Sequence, residues 1–191
     1  MKISHMSLSK LRIGVVPIGE VPEIVSKSVG AHILGYFNLE ADILTPLDQP
    51  EYAFDNKRLQ YNAAIILKAL EAEPFQGYAK VIGLLDVDLF IPIFTHVFGE
   101  ARQGGKFALV SLHRLRKNPE GSTLPESILI ERAAKVALHE AGHLFNLLHC
   151  MDERCLMHFS GNLEDLDSTP LYFCRYCTTY LRDALLRSMM T

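Results

Sequence analysis

The sequence predicts an α/β fold of the α+β type, in which a mixed sheet carries helices and one strand runs antiparallel at an edge. The first observation is an alternation of β-branched apolar runs with segments of helical periodicity, in the order βαβαβ. The second is a pair of strand-like runs on either side of Gly104-Gly105, a turn typical of antiparallel neighbours. The third is a long amphipathic segment, residues 124–145, that ends in a histidine-rich motif.

The first half of the chain predicts three strands and two helices. The strand-like segments, which are rich in β-branched or other apolar residues, are residues 11–18, 41–44 and 80–85. After Pro22, apolar residues recur every four positions, which predicts a helix that runs to about Phe37. We expect Asp55 to cap a second helix whose apolar stripe lies on the sheet. The stripe is formed by Ala63, Ile66, Leu67 and Leu70.

The second half predicts an edge hairpin and the longest helix. Residues 94–101 and 106–112 are the two strand-like runs around the glycine turn, and one of them should be the antiparallel edge. Thr123 and Glu126 have the S/T-x-x-E spacing of a capping box, so we expect the long helix to begin there.

Length, composition and charge exclude several classes of protein. The chain has 191 residues, of which 49% are hydrophobic and 21% charged, and this predicts a single domain over residues 1–191 rather than a disordered or coiled-coil chain. A net charge of −3 gives no long-range attraction to nucleic acid or to an anionic membrane. No apolar run is long enough to span a bilayer, and residues 1–10 lack the apolar stretch of a signal peptide. We therefore expect a cytoplasmic monomer with neither a nucleic-acid nor a membrane partner.

The end of the long helix carries the pattern HExxH. His139 and His143 lie one turn apart on the same face, where two imidazoles can hold one metal ion. Glu140 is offset by about 100°, so it can reach a metal-bound water without being a ligand. A third histidine, His149, completes HExxHxxNxxH. Because a continued helix would rotate His149 about 240° away from the first pair, the chain has to turn, and Asn146 is the residue that tolerates the left-handed conformation there.

Three neutral imidazoles leave a fourth coordination position open, which is typical of a catalytic zinc ion. Such an ion lowers the pKa of water and polarises a carbonyl, while Glu140 accepts the proton and delivers it to the leaving amine. The motif therefore predicts metal-assisted hydrolysis of peptide bonds in a peptide or protein substrate. The alternatives are an ordinary helix followed by a loop histidine, and a catalytically silent zinc protein that binds peptides or chain termini in the same cleft. Glu140 favours the enzyme, since a binding protein needs no general base.

All four cysteines lie in one stretch of 28 residues. Cys150-x4-Cys155 and Cys174-x2-Cys177 form two pairs separated by 18 residues, close to the spacing of four-cysteine zinc sites. Four thiolates close the coordination sphere, so this zinc ion should be structural and should stabilise residues 150–191 as a C-terminal subdomain. The alternatives are reduced core thiols or a redox pair at Cys174 and Cys177.

Together these motifs resemble the archaemetzincins, a metzincin-type family of zinc metallopeptidases. The resemblance rests on residues 139–149, on the cysteine tail and on Met157, and its strongest part covers residues 123–181. The Phe-Gly-Glu-Ala sequence of residues 98–101 adds to it. The resemblance implies a compact domain with a twisted mixed sheet and three main helices, two zinc ions, and a methionine-containing turn beneath the catalytic metal. Met157 would form a hydrophobic floor for the imidazoles there; the alternative is an ordinary core methionine.

The family resemblance also shows one departure at the turn, and it implies a restricted substrate specificity. Its members usually have Gly at the turn where this chain has Asn146. They resemble peptidases of restricted specificity, with aminopeptidase activity suggested for some. In this architecture a substrate lies along an exposed edge strand, for which residues 94–101 are the candidate; an ordinary edge strand is the alternative.

Other polar and aromatic residues carry less functional signal. We interpret the tyrosines near the cysteines as packed against the tail rather than as catalytic: Tyr172, Tyr176 and Tyr180. Asp86 and Asp88 are interpreted as a solvated or turn-capping pair rather than a cation site. The remaining histidines are isolated and are interpreted as surface or core residues: His5, His32, His96, His113 and His158.

Overall fold

The computed structural model describes residues 11–118 and 121–190. The prediction that residues 1–10 are not a signal peptide therefore concerns a segment outside the described residues. The strands are β1 (Arg12–Ile18), β2 (Glu40–Ile43), β3 (Phe54–Asp55), β4 (Gln60–Asn62), β5 (Lys80–Leu85), β6 (Leu89–Phe90), β7 (Gly99–Ala101) and β8 (Phe107–Ser111). The α-helices are α1 (Glu23–Phe37), α2 (Ala63–Leu70), α3 (Glu126–Leu144), α4 (Leu163–Ser168) and α5 (Arg175–Met190). Two 3-10 turns lie at Glu51–Ala53 and Arg114–Arg116.

The main sheet has five strands in the order β2-β1-β5-β8-β7. Four strands are parallel, and β7 runs antiparallel to β8 at one edge, which confirms the predicted mixed sheet. The edge strand is shorter than the predicted segment 94–101. Carbonyls of Phe94 and Thr95 accept hydrogen bonds from the side chains of Arg58 and Gln60, at 2.9 Å each, so this part of the chain bonds side chains instead of a neighbouring strand.

Two hydrophobic clusters cover the two faces of the main sheet. Along β1, Ile13 and Val15 belong to the cluster that contains α1 and α3, whereas Val16 and Ile18 belong to the cluster under α2. This alternation follows from the period of two of a strand, and it explains why the central strands are apolar throughout. The first cluster also includes residues of the cysteine tail: Cys155, Leu156, Met157, Leu166, Cys174, Cys177 and Leu181.

A second, small sheet has the order β3-β4-β6 and was not predicted. Its strands have two or three residues each, too few to show a hydrophobic period in the sequence. Within the described part of the chain, no helix is both long enough and apolar enough to cross a membrane.

The start of α2 differs from the prediction. The apolar stripe is correct, but the cap is Asn62, whose Oδ1 accepts from the backbone N–H groups of Ala64 and Ile65. Asp55 instead accepts from the N–H groups of Lys57 and Arg58 in the preceding turn, at 2.8 and 3.0 Å. Asp55 lies too far upstream to cap the helix, because a capping oxygen reaches only two or three residues ahead.

The start of α3 also differs from the prediction. The capping box of Thr123 and Glu126 does not form, because Thr123 pairs with Lys117 in an isolated bridge. The helix begins at Glu126 directly after Pro125, and no side chain caps it. Proline is suited to this position, since its fixed φ is compatible with a helix start and it has no N–H group that needs a partner.

Candidate metal centre and cleft

The HExxHxxNxxH motif begins in the last turns of α3 and continues past the end of the helix, where the chain reverses direction. Asn146 has a φ of 67°, the left-handed conformation. The N–H of Asn146 donates to the carbonyl of His143, and that of Leu147 to the carbonyl of Gly142, each at 3.0 Å. These bonds satisfy carbonyls that the helix end would otherwise leave without partners. The reversal brings His149 back beside the histidines of the helix.

The three imidazoles face one another at the spacing of metal ligands. The Nε2 atom of His143 lies 3.1 Å from that of His139 and 3.2 Å from that of His149. Ligand nitrogens on a tetrahedral zinc ion, with Zn–N bonds of about 2.0–2.1 Å, lie about 3.3–3.4 Å apart. The donor set and its spacing therefore fit one zinc ion.

Backbone carbonyls orient two of these imidazoles. The Nδ1 atom of His139 lies 2.8 Å from the carbonyl oxygen of Leu156, and that of His143 lies 2.7 Å from that of Leu147. With Nδ1–H donating to a carbonyl, Nε2 keeps its lone pair for a metal ion. Among the described residues, no hydrogen-bond partner is found for Nδ1 of His149.

Burial favours the neutral form of the histidines. It lowers the pKa of His139 to about 3, with further lowering by His143, and it also lowers the pKa values of His143 and His149. Neutral imidazoles are the form that binds a metal.

Glu140 lies beside the histidines and against the edge strand. Its side chain is almost fully buried, and burial, followed by the charge of Glu100, raises its pKa well above the usual range. A Cβ atom placed on Gly99 would lie 2.6 Å from Cγ and Oε1 of Glu140. Only glycine therefore allows the backbone of β7 to pass this close to the carboxyl group.

The edge strand leaves main-chain groups free on the side of the cleft. The carbonyl of Phe98 accepts from the N–H of Ser111, and the N–H of Arg102 donates to the carbonyl of Phe107. In an antiparallel pair, the residues between such bonds alternate in direction, so the N–H and C=O groups of Gly99 point away from β8. Gly99 and the residues around it line a cleft of about 440 Å³ that also contains the three histidines.

Two aromatic rings line this cleft. Phe94 and Phe159 stack with ring centroids 5.9 Å apart, and the ring of Phe159 lies 5.3 Å from that of His149. Sequence reasoning missed Phe159, and it also missed other residues that line the cleft: His96, Lys135, Ser160, Leu166 and Thr169. They come from four separate segments and form no motif, so no sequence signal identifies them.

The four cysteines also converge. Their Sγ atoms lie within 4.8 Å of one another, and those of Cys150 and Cys174 are 3.8 Å apart. Thiolates on a tetrahedral zinc ion, with Zn–S bonds of about 2.3 Å, lie about 3.8 Å apart. The N–H groups of Met157 and Cys174 donate to Sγ of Cys155, as they would to a thiolate. The geometry fits a second, closed metal site.

Met157 joins the two sites. Its N–H donates to Sγ of Cys155, its carbonyl accepts from the N–H of Cys150, and its buried side chain packs against α3. A Cβ atom on Gly142 would lie 2.5 Å from the sulfur of Met157, so the thioether occupies the space that the glycine leaves.

Several residues considered in the sequence lie outside both sites. Asp86 pairs with Arg116 at 2.7 Å, and Asp88 pairs with Arg114 through two bonds of 2.6 and 2.7 Å, so their carboxylates are used in ion pairs. The three tyrosines near the cysteines do not line the cleft; one is half exposed and two are mostly exposed, so they pack against the tail less than predicted. They are Tyr172, Tyr176 and Tyr180.

Comparison with known proteins gives one consistent result. The sequence profile of peptidase family M54 matches residues 31–183. The chain is 36% identical over 173 residues to an archaemetzincin of Methanocaldococcus jannaschii, covering 91% of this chain and 94% of that relative. The crystal structure of an archaemetzincin from Methanopyrus kandleri superposes with a TM-score of 0.81 at 33% identity, over 94% and 97% of the two chains. A zinc-dependent peptidase from Methanocorpusculum labreanum gives 0.79 at 29% identity, over 88% and 99%.

Proposed function

Since the chain belongs to peptidase family M54 and is a zinc metallopeptidase, we propose that Glu140 is the general base of the peptide-bond hydrolysis that it catalyses. In this proposal the catalytic zinc ion is held by His139, His143 and His149. The observation that carries it is the arrangement of three Nε2 atoms at zinc-ligand spacing beside a buried carboxyl group and a free strand edge. These parts are what amide hydrolysis needs: a Lewis acid, a base and a peptide-binding edge.

The residues of the chain have distinct roles in this mechanism. A zinc ion bound here supplies Lewis acidity, which lowers the pKa of water and polarises the scissile carbonyl. The main-chain groups of Gly99 align the substrate as an added strand, through bonds that do not depend on its sequence. Glu140, whose carboxyl group lies against Gly99 of β7, takes the proton from the attacking water and passes it to the leaving amine. Met157 and the carbonyls of Leu147 and Leu156 keep the imidazoles in place.

We further propose that the cysteines hold a second, structural zinc ion. They are Cys150, Cys155, Cys174 and Cys177. Four sulfur ligands leave no open coordination position, so this ion takes no part in chemistry. It fixes the chain directly after His149, and the shared hydrophobic cluster supports a single domain with residues 150–191 as its C-terminal subdomain.

The cleft supports restricted specificity. Phe94 and Phe159 stack on each other in its lining, and we expect such apolar rings to favour extended peptides with apolar side chains. Aminopeptidase action remains one form of this restriction, and the cleavage positions in the experiment below distinguish it from internal cleavage. A cytoplasmic location, a monomeric state and the absence of nucleic-acid and membrane partners stay predictions from composition and charge.

The test is cleavage of a mixed peptide library by the zinc-loaded protein, read by mass spectrometry. Glu140→Gln keeps the shape of the side chain but removes the base, and it should lower kcat by about 10²- to 10⁴-fold with zinc content unchanged. Glu126→Gln, the same change at the exposed start of α3, is the matched control and should keep wild-type activity. Equal cleavage by Glu140→Gln would reject the general-base role. No cleavage by any zinc-loaded protein would favour a catalytically silent peptide-binding protein.

A further inference from the structure

Helix α3 carries two buried cationic side chains on the N-terminal side of its histidines. Arg132 and Lys135 are each only 3% exposed. Spacings of three and four residues place them on the helix face that presents His139. Buried Arg and Lys side chains are rare and need partners, yet the proposed mechanism uses neither of these.

Both cations bind the same segment of the chain. Arg132 donates from Nε and Nη2 to the two carboxylate oxygens of Asp167, at 2.7 and 2.6 Å. Lys135 donates from Nζ to the carbonyls of Leu166 and Asp167, each at 3.1 Å, and forms an ion pair with Glu131 at 2.9 Å. The carbonyls lie in the last turn of α4, where a helix leaves carbonyls without internal partners. Charged hydrogen bonds therefore tie α4 to α3.

The segment that these cations hold is a wall of the cleft. Leu166 and Thr169 are buried and line the cleft, together with Ser160 and with Lys135 itself. The hydroxyls of Ser160 and Thr169 lie 3.2 Å apart, and that of Thr169 donates to the carbonyl of Asp165 at 2.8 Å. The wall is thus braced internally, and the hydrogen bonds of the two cations join it to α3.

We propose that Arg132 and Lys135 are positioning residues that fix this wall, and that they thereby limit the size of the substrate side chain that enters between α3 and residues 160–169. The inference rests on the proposed function in taking the cleft as the peptide site. Charge-assisted and bidentate hydrogen bonds hold a fixed geometry. A pocket distinguishes large from small side chains only when its wall does not move to admit the larger ones. The favoured substrates are peptides with a side chain of limited size at this position.

Lys135→Met is the main test variant, because methionine keeps the apolar stem and removes the donor. Lys106→Met is the matched control: Lys106 also donates to a backbone carbonyl, that of Phe75 at 2.7 Å, but it does not line the cleft. The probes are peptide hydroxamates that differ only in one side chain, from alanine through leucine to phenylalanine. Their affinities for the zinc-loaded proteins are measured by calorimetry, and amide hydrogen exchange is measured over residues 163–169.

Wild type and Lys106→Met should bind the best-fitting hydroxamate at least about tenfold more tightly than the largest one. Lys135→Met should lose most of this discrimination and should exchange the amides of residues 163–169 faster. Asp167→Asn provides a second variant in case Lys135→Met does not fold. Asp167 is half exposed, so its change weakens the contact of Arg132 from the solvent side and should reduce discrimination by a smaller factor.

The outcomes separate this inference from the proposed function. Altered size discrimination in a protein that cleaves no peptide would support the inference and contradict the proposed function. Unchanged discrimination and unchanged exchange in the folded variants would overturn the inference, whatever the activity. Failure of the zinc-loaded wild type to bind any hydroxamate would also overturn it, because the cleft would then not accept a peptide.

Discussion

At the scale of single residues, Glu140 depends on its neighbours for its protonation state. Burial raises the pKa of this carboxyl group, and the charge of Glu100 raises it further. Glu100 is itself partly buried on β7, and burial raises its pKa as well. A base with a raised pKa becomes protonated, and so loses its function, at a higher pH than an ordinary carboxylate would.

Glu100→Gln should therefore move the acid limb of the kcat/KM profile to lower pH. The substitution removes a like charge, which lowers the pKa of Glu140 and keeps it ionised further into the acid range. The profile is measured with zinc content determined at every pH, and Asp48→Asn, a change of an exposed carboxyl group outside the cleft, serves as the control. An acid limb that stays in place would mean that Glu140 is not the group that titrates there.

At the scale of elements, the C-terminal end of α3 determines whether the third histidine reaches the first two. Asn146 holds the left-handed turn, and the backbone N–H of Gly104 donates to the carbonyl of His143 at 2.9 Å. A Cβ atom on Gly104 would collide with the amide group of Asn146. The turn between β7 and β8 therefore packs directly against the C-terminal end of α3.

Asn146→Gly should retain zinc at the histidines, whereas Asn146→Val should lose much of it. Glycine adopts a positive φ freely, while a β-branched residue there costs at least about 1–2 kcal/mol and would shift the chain that carries His149. Zinc per folded chain, measured by native mass spectrometry, checks this. Equal zinc content in wild type and in the Val variant would refute the importance of the turn.

The elements also show what the sequence could predict. HExxH and its spacing to His149 are local patterns, so the candidate ligands could be named before their positions were known. The succession of strands and helices along the chain and the antiparallel edge follow from alternation and a glycine turn, whereas the order of the strands in the sheet was not predicted. The cap of α2 was assigned to Asp55 instead of Asn62, because several residues ahead of a helix can serve as caps. The wall residues, such as Thr169, could not be predicted, since only tertiary packing brings them to α3.

At the scale of the whole molecule, the two candidate metal sites are consecutive along the chain. His149 and Cys150 are neighbours, and the carbonyl of Met157 accepts from the N–H of Cys150. The cysteines and α3 contribute to one hydrophobic cluster. Loss of the cysteine site should therefore weaken both the fold and the histidine site.

We expect Cys155→Ser to remove the zinc ion that we propose at the cysteines and to reduce stability. Binding of a structural zinc ion contributes directly to folding, so Tm should fall, by about 2–4 °C for each kcal/mol lost in a chain of this size. Scanning calorimetry and metal analysis measure the two effects. The control is Met151→Ser, which changes a highly exposed residue between Cys150 and Cys155. A variant with wild-type Tm would show that the cysteines contribute nothing to folding.

The unequal support of the three imidazoles has a kinetic consequence. Two are braced by carbonyls, whereas the ring of His149 contacts Phe159 and belongs to a loop. Since none of the described residues bonds Nδ1 of His149, this ring turns more easily, and we expect His149 to be the first of the proposed ligands to leave and the last to return. Exchange of the bound ion would then pass through a state in which α3 alone holds it. Because Cys150 directly follows His149, we expect a variant that lacks the proposed ion at the cysteines to exchange the metal at the histidines faster.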